Sequence, residues 1–463
     1  MSEGVQQLKS FLEPRSIALI GISRHTGDGS NVLENLLTYG FRGEIFPVNR
    51  KANEILGIKT YASVKEIPEE VDLAVILTPR AAVPPLIEDC GEKGIKAVIV
   101  IAQGFADAAD EEGRNLQDKI VKIAQEKGIR IIGPNTFGVG NGFINLNTAF
   151  VFIKLGKMPV ASIGQTGFVF AGTPKVPFGG KVIDLGNACD LGFADALEYF
   201  KDDPEVKVIL LYIEGLREDG RRFLKIARET AKKKPILALK GGKTEEGVKV
   251  VQSHTGSLAG RNEVWKAIFR KSGIIEVEDV NELEDIERAF LRLPLPRGRE
   301  LGVMTYPMAC GVMATDACQK YGLKVAKLSP GTLQGLSKIF PPWISVGNPV
   351  DLTPPSSILG MQTNETFRII LETLLAAPEV AGVLLIVPSP EIGKQLYDHS
   401  EIAGELVQKF KKPVISYVYA YDPEEIGTRK YEEKGITPFP SLERAIRAFS
   451  RLCDYSEWRA ASQ

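Results

Sequence analysis

Histidine is scarce. Only His25, His254 and His399 occur in 463 residues, far apart in sequence, which leaves no multi-histidine metal site to build. The five cysteines, Cys90, Cys189, Cys310, Cys318 and Cys453, never take the CxxC spacing of a zinc or redox centre, so they read as reduced, mostly buried thiols. Neither sign of charge is in excess: 57 Lys and Arg face 58 Asp and Glu, a formal net charge of −1. That balance excludes a strongly basic nucleic-acid or membrane binder and leaves only local basic patches for holding phosphate. Long apolar runs are missing too. Leu73 to Leu77 and Val380 to Val387 fall far short of the roughly 20 residues of a membrane helix, and Met1 to Arg15, with Glu3, Gln6, Gln7, Lys9 and Glu13, has no apolar signal core. These absences point to a cytoplasmic protein without a metal site.

What is present is a composition of 44% hydrophobic and 25% charged residues, that of a folded chain. At about 100 to 200 residues per domain it has length for roughly three domains. From Ser16 onward, short aliphatic runs alternate with longer amphipathic segments. The runs are too continuous for half-exposed strands and predict buried parallel ones at Ile17 to Ile22, Glu44 to Val48, Leu73 to Leu77, Ala97 to Ile101 and Ile129 to Ile132. Gly138 to Lys157 reads as a loop. The alternation restarts at Val160 and runs to a helix over Val280 to Leu293, where Pro294-Leu295-Pro296-Arg297-Gly298 predicts a linker, and it resumes from Leu301. The expected fold class is α/β, three tandem doubly wound parallel sheets over residues 1–137, 155–293 and 299–457.

The first predicted strand ends in a glycine-rich turn, Gly21 to Ser30, that feeds a helix, a geometry that offers backbone N–H groups and a helix dipole to an anion. It is not the GxGxxG of dinucleotide binders. The second strand ends in Val48-Asn49-Arg50-Lys51, where an NAD site places an acidic residue, so Arg50 and Lys51 favour a ribose phosphate, as in NADP or coenzyme A. Thr78-Pro79-Arg80 follows the third strand on the same rim. In the second block, Ser162-Ile163-Gly164-Gln165-Thr166-Gly167 repeats strand, turn and helix, and the amides of Thr166 and Gly167 suit a small anion or form an ordinary βα turn.

Lys240-Gly241-Gly242-Lys243-Thr244 imitates the end of a P-loop, but Leu237 stands where the motif requires glycine. The residues after it, Ser253-His254-Thr255-Gly256-Ser257-Leu258-Ala259-Gly260, set a histidine among small and flexible neighbours, which suits an exposed, mobile loop. A neutral imidazole accepts a phosphoryl group on one nitrogen when a carboxylate holds the other, and Glu214, after the predicted strand Val208 to Ile213, is a candidate holder.

Together the motifs GISRHTGDGS, VNRK, LTPR, GPNTFG, GQTG, YIEG, SHTGSLAG and GNPVDLT resemble, in order, the nucleoside-diphosphate-forming acyl-CoA synthetases, and among them the α subunits of archaeal ADP-forming acetyl-CoA synthetases. The resemblance covers essentially the whole chain. It implies a Rossmann-like CoA-binding domain followed by two flavodoxin-like domains. It also implies conversion of acetyl-CoA, ADP and phosphate to acetate, CoA and ATP through acetyl phosphate and a phosphohistidine. Gly21, Ser23, Arg24, Val48, Asn49, Lys51, Leu77, Thr78 and Pro79 would surround CoA, beside the Arg50 already singled out. Ser162, Gln165, Thr166 and Gly167 would bind phosphate, with Gly186 and Asn187 near the acetyl group. His254 would carry the phosphoryl group and Glu214 would orient it.

ADP or ATP with Mg would sit on a separate ATP-grasp β subunit, in an α2β2 heterotetramer, and this chain would hold no tightly bound cofactor. Gly164 and Thr136 depart from the serine and cysteine common in relatives. Other readings are a synthetase for branched-chain or aryl acyl groups, a non-catalytic acyl-CoA-binding module that dispenses with His254, and an NADP-dependent oxidoreductase that has no use for the histidine segment.

Overall fold

The computed structural model describes residues 3–172, 179–255, 260–389, 397–419 and 425–462, with backbone alone at 3–7 and 252–255. The chain is α/β and forms two compact units, one ending at Val280 and one beginning at Asn281. Among its described residues the first unit carries two large sheets and a small two-stranded one, Glu54–Ile55 antiparallel to Ile58–Lys59. In the first sheet, β1 (Ser16–Ile20), β2 (Glu44–Val48), β3 (Leu73–Ile76), β4 (Ala97–Val100) and β5 (Arg130–Ile132) are all parallel, in the order β2-β1-β3-β4-β5. Every residue of β1, β3 and β4 is buried, because crossover helices cover both faces of a parallel sheet, and this is why those strands read as unbroken aliphatic runs.

The second sheet follows without a structureless connection. Its strands are β6 (Gly138–Asn141), β7 (Leu146–Asn147), β8 (Val160–Gly164), β9 (Lys181–Asp184), β10 (Val208–Ile213), β11 (Ile236–Lys240) and β12 (Ile275–Val277), in the order β12-β11-β10-β8-β9-β6-β7. The stretch expected to be a loop from Gly138 thus contributes two strands, β6 antiparallel to β9 and β7 antiparallel to β6. Gly138-Val139-Gly140-Asn141 has little intrinsic strand preference. It is held instead by its ladder to β9 and by Thr148, whose hydroxyl accepts from the Val139 N–H at 2.8 Å and donates to the Val139 carbonyl at 3.0 Å.

The two sheets meet across a buried polar seam. The Asn187 amide, fully buried, donates to Asp107 at 2.8 Å and to Gln117 at 3.1 Å. Arg130 pairs with Asp190 at 2.9 Å, and the Tyr199 hydroxyl donates to Glu13 at 2.7 Å.

The second unit opens inside the helix Val280–Arg292, at its second residue, and holds the third large sheet: β13 (Glu300–Thr305), β14 (Lys324–Val325), β15 (Val350–Asp351), β16 (Gly382–Pro388), β17 (Val414–Tyr419) and β18 (Thr437–Pro438). The order is β14-β13-β16-β17-β18, with β15 also on β13. The Val280–Arg292 helix, expected to close the second block, belongs with the third. Its Asp285, fully buried, takes two bonds from Arg444 at 2.6 and 2.8 Å, its Glu282 lies 3.4 Å from Arg451, and its Ala289 joins the core under β13 and β16. The prolines 294 and 296 therefore turn the chain inside this unit, from helix into β13, instead of separating two domains. Among the described residues no helix is long and apolar enough to cross a membrane.

His399 sits at the start of the Ser400–Phe410 helix and is completely buried, with Nδ1 2.7 Å from Asn364 Oδ1 and Nε2 2.6 Å from the Tyr306 hydroxyl. Burial lowers its pKa from 6.5 to about 4. The unfolded chain therefore takes up this proton before the folded one, so the stability due to neutral His399 is complete above pH 6.5 and drains away as pH falls towards 4. Denaturant unfolding of the chain should lose ~2 kcal/mol more between pH 7 and pH 5 than the same measurement on His399→Gln. An equal acid loss in the variant would remove His399 from the account.

Candidate active site

In a sheet ordered β2-β1-β3, the crossovers leave β1 to opposite sides, and a crevice opens beyond the carboxyl ends of β1 and β3. Gly21 ends β1 there, at φ +81, and a Cβ in its place would run into the Thr78 side chain after β3, so glycine is what lets the two strand ends close together. The Asn49 amide donates to the Ile22 carbonyl at 2.8 Å and ties the end of β2 to the same turn. Arg24, Arg50 and Lys51 are exposed here and form no ion pair among the described residues. Thr78 Oγ1 is buried without a hydrogen-bond partner, an orphan that a ligand in the crevice would satisfy. Leu77 and Pro79 flank it, while Arg80 is spent on Asp110 at 2.9 Å and Glu112 at 2.8 Å.

Two expectations change. The Val32–Tyr39 helix is already capped: Asn31 Oδ1 accepts from Leu33 and Glu34, and the turn amides of His25, Gly27 and Ser30 go to Ser23, Glu34 and Asp28. The helix N-terminus is thus satisfied internally, and cationic side chains with the Thr78 hydroxyl are what the crevice offers an anion. Val48 points into the core, 5% exposed, and brings only backbone to the rim by accepting from the Gly21 N–H at 2.9 Å.

The second sheet repeats the topology, with β8 between β9 and β10, and its crevice lies beyond Gly164 and Ile213. Gln165 and Glu214, the first residues past those strands, meet there. Gln165 Oε1 accepts from the Glu214 N–H at 2.9 Å and from the Gly215 N–H at 3.1 Å, both residues being buried. Lys240, at the end of β11, closes the group from the other side by donating to the Glu214 carbonyl at 2.9 Å and to the Gly241 carbonyl, with its ammonium 5.4 Å from the Trp265 ring. Burial pulls the Lys240 pKa down to about 8 against the opposing pull of Glu214. Tyr212 lies 3.4 Å from the Glu214 carboxylate, and burial first and that charge second push its hydroxyl up to about 12. The backbone N–H groups of Thr166 and Gly167 find no acceptor among the described residues.

Other site expectations fall differently. Among the described residues the turn is followed by the short 3-10 helix Gly167–Phe170 and not by a longer helix. Ser162 is 1% exposed in the middle of β8, paired with Val182 and Leu210, two residues short of the rim. Gly186 donates its N–H to Asp184 Oδ1 at 3.1 Å, and the Asn187 amide donates both its hydrogens to Asp107 and Gln117 in the seam. His254 was expected in a loop, but its backbone lies in the helix Glu245–Thr255; its side chain and residues 256–259 lie outside the described residues. That helix supplies the element after Lys243-Thr244 that a P-loop has, while Leu237 inside β11 still rules the motif out.

Sequence reasoning missed Lys240, Arg217 and Glu218. The last two line a cavity of about 70 Å³ that also touches Gln165 and Gly215, and Glu218, accepting from the Ala194 N–H at 3.1 Å, is pushed by burial up to about 7. The signal available was the charged run Glu214 to Asp219 directly after a strand end.

Gly164 is explained by packing. A Cβ there would strike Val169 Cγ1 and press on Tyr212 Cβ. Gly164→Ser should cost about 1–3 kcal/mol in unfolding free energy, and adding Val169→Ala should recover part of it. No recovery in the double variant would show that the glycine serves something other than space for Val169.

A CoA binding domain model matches residues 15–141, and a succinyl-CoA ligase like flavodoxin domain model matches residues 173–290. The α subunit of ADP-forming acetate–CoA ligase I of Pyrococcus furiosus is 37% identical over 468 residues, 98% of each chain. Its counterpart from ligase II of the same organism is 40% identical over 446 residues, 94% of each chain. ADP-forming acetate–CoA ligase I of Archaeoglobus fulgidus is 36% identical over 97% of this chain but only 64% of its own length. Among solved structures, dinucleotide-forming acetyl-coenzyme A synthetase 1 of Ca. Korarchaeum cryptofilum, in complex with phosphate and ADP, superposes with a TM-score of 0.85 at 30% identity, covering 98% of this chain and 97% of that one. With two relatives matched end to end and both named as α subunits, the chain belongs to the family of ADP-forming acetate–CoA ligase α subunits.

Proposed function

We propose that this chain is the α subunit of an ADP-forming acetyl-CoA synthetase that converts acetyl-CoA, ADP and phosphate reversibly to acetate, CoA and ATP. The observation that carries the reading is the meeting of Gln165 and Glu214 at the switch point of the second sheet, beside the two unclaimed amides of Thr166 and Gly167. Phosphate held by those amides attacks the thioester carbonyl and expels CoA as thiolate. The acetyl phosphate passes its phosphoryl group to a ring nitrogen of His254 and leaves acetate. Glu214, buried and held at its backbone by Gln165 and Lys240, orients the other nitrogen, so that the accepting lone pair faces the phosphorus. Phosphohistidine then delivers to ADP.

CoA lies in the first crevice, with its phosphates among Arg24, Arg50 and Lys51, its chain past Gly21, Ser23, Asn49, Leu77 and Pro79, and the orphan Thr78 hydroxyl as donor. Two of the full-length likenesses are α subunits, and about a third of the A. fulgidus relative's length lies outside the part that this chain matches. Both facts support a separate β subunit. We assign it an ATP-grasp fold holding ADP and Mg, in an α2β2 assembly in the cytoplasm.

The chain alone should make no ATP and should regain the activity with the β subunit. In that assembly His254→Ala should abolish ATP formation with CoA binding intact, and Glu214→Gln should slow turnover while keeping acid-labile label from radioactive phosphate and acetyl-CoA. Label persisting in His254→Ala on another residue would mean a different carrier. In the first crevice, Arg50→Glu or Lys51→Glu should weaken CoA about tenfold, ~1.4 kcal/mol, and dephospho-CoA much less. Equal losses for both ligands would place the 3′-phosphate elsewhere.

A further inference from the structure

Lys240 ends β11 and lies beside Ile213, which ends β10. A lysine at a strand end ordinarily carries its ammonium into water, whereas this one is 4% exposed. The ammonium donates to the Glu214 carbonyl at 2.9 Å and to the Gly241 carbonyl, and it stands 5.4 Å from the centre of the Trp265 ring. Its three N–H groups thus have two carbonyls and an aromatic face for neighbours, all of them neutral. That is an unfavourable place for a cation, and it is maintained at the corner that carries Glu214.

The bonds hold a joint. The two carbonyls belong to the residues by which the chain leaves β10 and β11, and a bond from an ammonium is about twice as strong as a neutral one. Gln165 takes the Glu214 N–H and Lys240 takes the Glu214 carbonyl, so the peptide groups on both sides of that residue are fixed. The Gly241 backbone also lies against the Glu214 side chain: a Cβ at 241 would stand 2.9 Å from the Tyr212 hydroxyl and 3.6 Å from Glu214 Cγ. Moving Gly241 therefore moves a wall on which Glu214 rests.

We propose that Lys240 is a positioning residue for phosphoryl transfer: its ammonium clamps the Glu214 and Gly241 carbonyls together and thereby fixes the carboxylate that orients the accepting histidine. The role rests on the acetyl-CoA reading and deepens it. Among the described residues, the groups facing Lys240 are Glu214 from β10, Lys243 after β11, Glu276 from β12 and the Trp265 ring from the helix Asn262–Ser272. Lys243 is itself paired with Glu276 at 3.3 Å and with Glu278 at 3.2 Å. Burial, against the pull of Glu214, brings the Lys240 pKa to about 8. Above that pH the amine keeps two donors but loses the charge that strengthens them and its attraction to the ring, so the joint loosens as pH rises.

The test is the rate at which label from radioactive phosphate and acetyl-CoA reaches His254 in the assembly of this chain with its β subunit, followed from about pH 7 to about pH 10. The wild-type rate should fall through an apparent pKa of about 8. Lys240→Met should lower the neutral rate about 10- to 100-fold, the effect of displacing a reacting group by about 1 Å, with KM for both substrates little changed and the alkaline fall gone. Lys240→Arg, whose guanidinium keeps its proton beyond about pH 12, should restore part of the rate and hold it level. If Lys240→Met also loses CoA binding in the first crevice, and is therefore misfolded, the wild-type profile and Lys240→Arg decide alone. A level wild-type profile, an alkaline fall that persists in the variants, or a folded Lys240→Met as fast as the wild type would overturn the role and leave the acetyl-CoA reading standing. Absence of label from the wild-type chain would overturn that reading and the role with it.

Discussion

Everything functional in this chain depends on one topological constraint. Parallel strands joined by right-handed crossovers deliver all their carboxyl ends to one edge of a sheet, and where successive crossovers leave a strand on opposite sides the covering helices part. Each of the three large sheets makes that reversal at its first long strand, β1, β8 and β13. The residues at or just beyond the ends of those strands and of β3, β10 and β16 consequently line the three crevices. Gly21 and Thr78, Gln165 and Glu214, and Tyr306 and Pro388 are three instances of the same pair of positions.

In the first unit a second constraint acts on the first. Two crevices on separate sheets can cooperate only if their relative position is fixed, and the seam between the sheets fixes it with paired polar groups, of which Asn187, Gln117 and Asp184 are buried. Asn187 spends both amide hydrogens on Asp107 and Gln117, and Asp184 accepts from the Phe137 and Gly186 N–H groups. A slip at this seam would strand buried donors and acceptors at about 1–3 kcal/mol each, so the joint has one low-energy register. Asn187 thereby helps to fix the register of the joint.

How much of this was legible follows from where each signal resides. Strands buried on both faces announce themselves as aliphatic runs, so β1, β3, β4, β8, β10 and β16 were readable, and with them the residues one step beyond, including Gln165 and Glu214. Signals that depend on a distant partner were not. The β6 and β7 ladder comes from pairing with β9 and from Thr148, not from the Gly-Val-Gly-Asn run itself. The placement of Val280–Arg292 comes from Arg444 and Arg451, some 160 residues away in sequence. Periodicity marks Ser162 as a strand residue, yet the resemblance drew it into the phosphate site, and Asn187 shows the same pull. Lys240 escaped notice because a lysine at a strand end looks like a solvated one until burial and its bond to the Glu214 carbonyl are seen.

The three crevices share a backbone plan, so their chemical differences must come from side chains at equivalent positions. Beyond β1 and β2 stand three exposed cations and an unpartnered hydroxyl, a surface that holds phosphates while remaining open to water. Beyond β8 and β10 two charged groups are buried instead: Glu214 and Lys240 are each only 4% exposed and tied through the Glu214 backbone, and the half-buried Glu218 lines a small cavity with the exposed Arg217. Burial strengthens every electrostatic interaction there and moves Lys240 and Glu218 to within reach of neutral pH, which is what group transfer asks of its surroundings and ligand binding does not. Beyond β13 and β16 the described walls include tyrosine rings and hydroxyls, and a buried histidine is bonded to one of the tyrosines. One strand order repeated three times thus presents an open cationic rim, a buried reactive cluster and a tyrosine-lined hollow, and the division of labour along the chain is a division of burial and charge, not of fold.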